Sequence, residues 1–188
     1  MKKDNIKKLV LSAMFIAIGI ILPFFTGQLQ KIGNMLLPMH LPILLCGLIC
    51  GAWYGMAAGI ITPILRSILF GMPVMFPSAA AMAFELGTYA LVVGLCYNRS
   101  KWKCIFSLYR SMIIAMLSGR IVWGIVMTVF MGISGKSFGI NAFISGAVLK
   151  AVPGIIAQLV LIPAIMLVLG RAHLISFGMN KKEKAEIK

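Results

Sequence analysis

Apolar runs follow one another along nearly the whole chain, and away from the termini a single acidic residue, Glu85, interrupts them. A helix needs roughly 17–25 mostly apolar residues to span a bilayer. Chemistry of this kind leaves few choices, because backbone polar groups in lipid must be paired within helices or closed barrels. The composition agrees: 61% of residues are hydrophobic and 12% charged, against about 45–50% and about 25% in soluble domains. The expected fold is an all-α integral membrane protein. Six transmembrane helices are predicted at about 9–25, 37–50, 55–69, 78–97, 110–131 and 142–169, forming one compact bundle and a single domain over residues 1–188.

A net charge of +14 would suit nucleic acid, but its placement argues against that partner. Lys2, Lys3, Lys7 and Lys8 precede the first apolar run; Arg99, Lys101, Lys103 and Arg110 fill the central polar loop; Arg171, Lys181, Lys182, Lys184 and Lys188 follow the last run. With six spans these clusters share one side. Basic flanks mark the cytoplasmic face and meet anionic lipid headgroups, so both termini are expected there. The N-terminus lacks a small-x-small cleavage site before Pro23 and reads as a retained first helix. Cys46, Cys50, Cys96 and Cys104 lie in apolar or loop settings without metal-ligand spacing, so neither a metal nor a cofactor is expected.

Small residues recur at helical spacing. Ala13 and Ala17 share a face of the first helix, and Gly47, Gly51, Gly55 and Gly59 recur at every fourth position. Such spacing lets helices approach closely. The turn between the second and third helices is expected within the glycine series, near Ala52–Tyr54.

The candidate site comes from ionisable residues inside the spans, which are costly there and so mark function by default. Arg66 stands near a Gly/Pro-punctuated turn, Gly71–Pro77, and Glu85 beyond it. Arg120 lies near the middle of the fifth helix, with Trp123 three residues on and on the same face. Lys150 lies in the outer part of the sixth helix and His40 at the mouth of the second, where a local hydrogen-bonding role is expected. Arg66, Arg120 and Lys150 against Glu85 leave an excess of two positive charges, which an anionic ligand such as a carboxylate would offset. A guanidinium beside an indole makes a cradle for such a group. A structural Arg120–Glu85 pair and a snorkelling Arg66 remain open alternatives.

Several segments together carry a family resemblance: Ala13-x-x-x-Ala17, Leu37-Pro-Met-His-Leu-Pro, Thr62-Pro-Ile-Leu-Arg-Ser-Ile-Leu-Phe-Gly-Met-Pro, Phe84-Glu-Leu-Gly-Thr-Tyr and Gly119-Arg-Ile-Val-Trp-Gly. Over essentially its whole length the chain resembles a substrate-binding S component of an energy-coupling factor (ECF) vitamin transporter, in a subgroup associated with pantothenate or related precursors. The resemblance implies a bacterial plasma-membrane protein that binds a vitamin-like small molecule under its outer loops. It implies partners: a transmembrane coupling subunit, docked on the Ala13/Ala17 face, and two cytoplasmic ATPases. Pantothenate would place its carboxylate on Arg66, Arg120 or Lys150, and its hydroxyls and amide on Glu85, Asn141 or Gln158. A ring compound (pyridoxine, hydroxymethylpyrimidine, niacin or queuine) would instead pair with Glu85 and stack on Trp123 or Phe84.

The chain carries no G-x-x-x-x-G-K-[ST] phosphate loop. Its two histidines, His40 and His173, are expected at opposite ends, and Asp4 is its single Asp, so no catalytic constellation is evident and no enzyme is expected. A membrane scaffold protein is the alternative from another class.

Overall fold

The computed structural model describes residues 2–27, 38–100, 104–134 and 152–172. Among them the chain is helical: α1 Lys2–Gly27, α2 His40–Ile49, α3 Ala52–Phe70, α4 Ala80–Arg99, α5 Ile105–Ile133 and α6 Val152–Arg171. A short helical turn, Met75–Ala79, leads into α4. Five of the described helical segments are long and apolar enough to cross a membrane; α2, with ten residues, is not. Five of the six expected spans are thus shown among the described residues. Ten residues rise about 15 Å, half the ~30 Å hydrocarbon core. The helix expected over 37–50 is described over His40–Ile49, and the chain reverses at Cys50–Gly51, where that helix was expected to end.

That reversal is tighter than the sequence suggested. Gly51 caps α3 at φ 106, a region open to glycine and strained for other residues. The helix begins at Ala52, three residues before the expected start. At its other end Gly71 closes α3 in the left-handed conformation, its N–H donating to the Ser67 carbonyl. The basic residues at the start of the chain fall within α1 rather than before it. Lysine is a good helix former, so charge there does not stop the helix.

Helix α4 is the hub, packed against α2, α3 and α5, while α1 packs on α2 and α3. α6 lies against α5 and α2. The glycines hold the α2–α3–α4 seam together. A Cβ on Gly59 would stand 2.6 Å from the Leu86 carbonyl oxygen, and one on Gly47 2.5 Å from that of Ala90. A Cβ on Gly94 would meet Ala52 Cα at 2.7 Å. These helices touch backbone to backbone, so the four-residue spacing is a packing device.

Two clusters form the interior. Ile43, Cys46, Cys50, Ala58, Leu86 and Ala90 fill the seam. Leu44, Leu48, Tyr89, Val93, Tyr97, Leu108, Met112 and Ile162 fill the space between α2, α4, α5 and α6. On α1 the inward residues are Ser12, Phe15, Ile16 and Gly19. Ala13 and Ala17 lie on the exposed face, beside Val10, Met14, Ile18 and Ile21.

Candidate ligand site

Glu85 lies five residues into α4 and is 2% exposed. Its Oε1 meets Arg120 Nη1 of α5 at 2.9 Å and accepts a hydrogen bond from the Tyr89 hydroxyl at 3.1 Å. His40 Nε2, at the start of α2, stands 3.7 Å from the same oxygen, and the His40 ring lies 5.4 Å from the Tyr89 ring. Three helices thus converge on one carboxylate oxygen.

Local sequence explains the convergence. Glu85 and Tyr89 are one turn apart on α4 and so share a face. Gly119 lies against the Tyr89 ring so closely that a Cβ there would overlap it. That approach brings the next residue, Arg120, alongside Glu85. His40 opens α2, so the first residue of the short helix stands beside the pair.

Several buried side-chain nitrogens of the cluster, and one on α6, are without partners among the described residues. Arg120 Nε and Nη2, both ring nitrogens of His40 and the Gln158 amide nitrogen are buried and make no hydrogen bond among the described residues. Gln158 is 2% exposed and shares the face of α6 that carries Ile162 and Met166 into the core. A buried polar group without a partner costs about 1–3 kcal/mol. Native proteins hold few such groups, and each calls for an explanation.

The sequence-derived site residues separate into three groups. Glu85, Arg120 and His40 are joined by the contacts above, and the alternative of an Arg120–Glu85 pair is what the structure holds. Arg66 is apart from them. It is half-buried; its Nε donates to the Met72 carbonyl at 3.1 Å and its guanidinium lies 5.7 Å over the Phe24 ring, so it ties the end of α1 to the Gly71–Pro73 turn. Among the described residues Arg120 and Glu85 cancel at the cluster; the expected excess of two also counted Arg66, which lies apart, and Lys150, which lies outside the described residues. Trp123 is half-buried on α5, three residues beyond Arg120. Phe84 is 54% exposed, whereas its neighbour Glu85 is buried. Asn141 and Lys150 lie outside the described residues, as does most of the outer loop around Lys31.

Sequence reasoning missed Tyr89. The signal was present: a hydroxyl-bearing residue four positions after the lone internal acid is well placed to bond it.

A family model for the ECF transporter substrate-specific component matches residues 7–176. The chain belongs to that family. Comparisons with curated proteins and with solved structures find no match. Membership makes this S component a subunit of a transporter and not a member of an enzyme family. The family implies a small-molecule substrate and partners in the ECF module. The long apolar helices fit a membrane-embedded binding subunit.

Proposed function

We propose that this S component binds a vitamin or vitamin precursor for an ECF-type importer of the bacterial plasma membrane, and that its substrate carries a carboxylate, pantothenate being the best candidate. The buried, donor-rich cluster of His40, Arg120 and Gln158 carries the reading. Donors without acceptors suit a ligand that brings acceptors: a carboxylate, a carbonyl and hydroxyl oxygens. Arg120 would hold the carboxylate through the Nε and Nη2 atoms that Glu85 leaves free. Glu85 keeps the guanidinium in place, with Tyr89 fixing Glu85 in turn. Gln158 and His40 would meet the carbonyl and hydroxyls. Trp123 would supply an apolar wall and Arg66 would brace the Gly71–Pro73 turn, while Asn141 and Lys150 lie outside the described residues.

The same proposal takes the chain as one membrane domain of six helices, with α2 a partial span and both termini cytoplasmic. The exposed Ala13/Ala17 face would dock on the transmembrane coupling subunit, and two cytoplasmic ATPases would supply the energy. A scaffold role has no observation in its favour.

One observation favours a second reading. The Arg120–Glu85 pair is neutral as it stands, and Trp123 lies one turn away on α5. A ring compound such as pyridoxine, hydroxymethylpyrimidine, niacin or queuine would stack on Trp123 and bond to Glu85. Titration of the purified chain with this panel and pantothenate, followed by intrinsic fluorescence and thermal shift, separates the two. Tight binding of pantothenate, lost in Arg120→Ala, supports the first reading. Tight binding of a ring compound without a carboxylate replaces it with the second.

A further inference from the structure

The charges of the cluster set a condition on any carboxylate that enters it. Arg120 and Glu85, 2.9 Å apart, already sum to zero. The other groups that meet this pair among the described residues are Tyr89 of α4, uncharged, and His40 of α2; the buried Gln158 of α6 carries no charge. α1 presents Ser12 and Gly19 towards α2 and α3, and the Arg66 side chain of α3 is held at the turn by Met72 and Phe24. A monocarboxylate added here would leave one uncompensated negative charge in a buried, low-dielectric setting, where isolated charge is strongly disfavoured. One group in the described cluster can supply the missing positive charge. His40 is 1% exposed, neither of its nitrogens makes a hydrogen bond among the described residues, and Nε2 stands 3.7 Å from Glu85 Oε1. Imidazole is also the side chain that exchanges its proton near neutral pH.

Resting on the reading of this cluster as the ligand site, we infer that His40 takes up one proton when a carboxylate binds, so that the S component captures its substrate as an anion together with H⁺. In the bound state Arg120 turns part of its guanidinium to the ligand. The imidazolium of His40 closes onto Glu85 Oε1, replacing the cationic partner that Arg120 now shares. The atoms balance simply: one proton moves from solvent to a ring nitrogen of His40, no covalent bond in the ligand changes, and the cluster plus ligand returns to zero net charge. The consequence is selectivity by charge. A neutral analogue needs no proton and gains nothing from His40 protonation.

The test uses matched pairs of probes on the purified full chain: pantothenate against panthenol, and niacin against nicotinamide, each pair differing in a carboxylate against a neutral group. Binding is followed by calorimetry at one pH in buffers of different ionisation enthalpy, then across about pH 6 to 8, where imidazole titrates. The expected result is uptake of one proton with the carboxylate and none with its neutral counterpart. The complex holds one more proton than the free protein, so affinity for the carboxylate should rise up to tenfold for each pH unit lowered. His40→Gln should bind the carboxylate more weakly, with an enthalpy that no longer depends on the buffer; its melting curve without ligand checks that it is folded. A cluster that binds the carboxylate with buffer-independent enthalpy overturns the proton linkage alone, and assigns compensation to a fixed cation such as Lys150. Preferential binding of the neutral partner also overturns it. Failure of all four probes and of the wider panel overturns the reading of the site itself, and the linkage with it.

Discussion

The part of α4 that meets the glycine seam of α2 and α3 and the part that meets His40 of α2 and Arg120 of α5 lie on the same helix, yet they differ in what they leave unsatisfied. On the first, Leu86, Ala90 and Gly94 meet Gly59, Gly47 and Ala52 at backbone contact distance. Contact there is steric, and nothing is left over. On the second, Glu85 and Tyr89 meet His40 and Arg120 through polar atoms, and several donors stay unpaired. A seam that served stability alone would have no reason to carry unpaired donors, since apolar residues pack without that penalty. The contrast separates a surface held by steric fit from one that leaves polar atoms unpaired among the described residues.

The contrast can be broken most severely at Arg120. Arg120→Ala leaves Glu85 buried without its cation, a change that costs about 3–5 kcal/mol. The protein is expected to melt far lower and to lose ligand binding, as a thermal-shift titration would record. Gly59→Ala attacks the other face. Overpacking costs about 1–3 kcal/mol, so the melting temperature should fall while ligand affinity stays near that of the wild type. Should affinity collapse in step with stability, the two faces are not independent. Tyr89→Phe removes one hydrogen bond to Glu85 and should cost about 1 kcal/mol, read as a modest melting shift with weaker binding. The smallest effect on the isolated chain is expected from Ala17→Trp. On the exposed face of α1 it should leave melting and binding alone and abolish uptake in cells; persistent uptake would remove the docking role from that face.

Much of the frame was legible. Hydropathy gave the long helices because the bilayer demands length and internally paired backbone, and the glycine spacing announced the seam. α2 was expected to end near Cys50 and does so at Ile49; what periodicity cannot register is how sharply the chain reverses there, which the positive φ of Gly51 permits. In the site, Glu85 and Arg120 stood out as charges in apolar runs, and their pairing was one of two open readings. His40 was placed correctly at the mouth of α2. Its meeting with Glu85 depends on α2 starting partway along the bundle, which sequence alone does not reveal. Arg66 was grouped with the cluster from its position near the turn, whereas its reach to Met72 and Phe24 is a matter of helical phase. Tyr89 was passed over as one more aromatic in an apolar helix.

The most direct test of the central claim, that the cluster exists for a ligand rather than for the fold, is to replace the ion pair with apolar residues of similar size. Glu85→Leu combined with Arg120→Met removes both charges together. Melting of the unliganded double variant and calorimetric binding of the wild type's tightest ligand would be measured side by side. Because buried ion pairs often give way to apolar pairs at no loss of stability, the account predicts a melting temperature equal to or above the wild type's, with ligand binding gone. A double variant that melts well below the wild type, or that still binds its ligand, would contradict it.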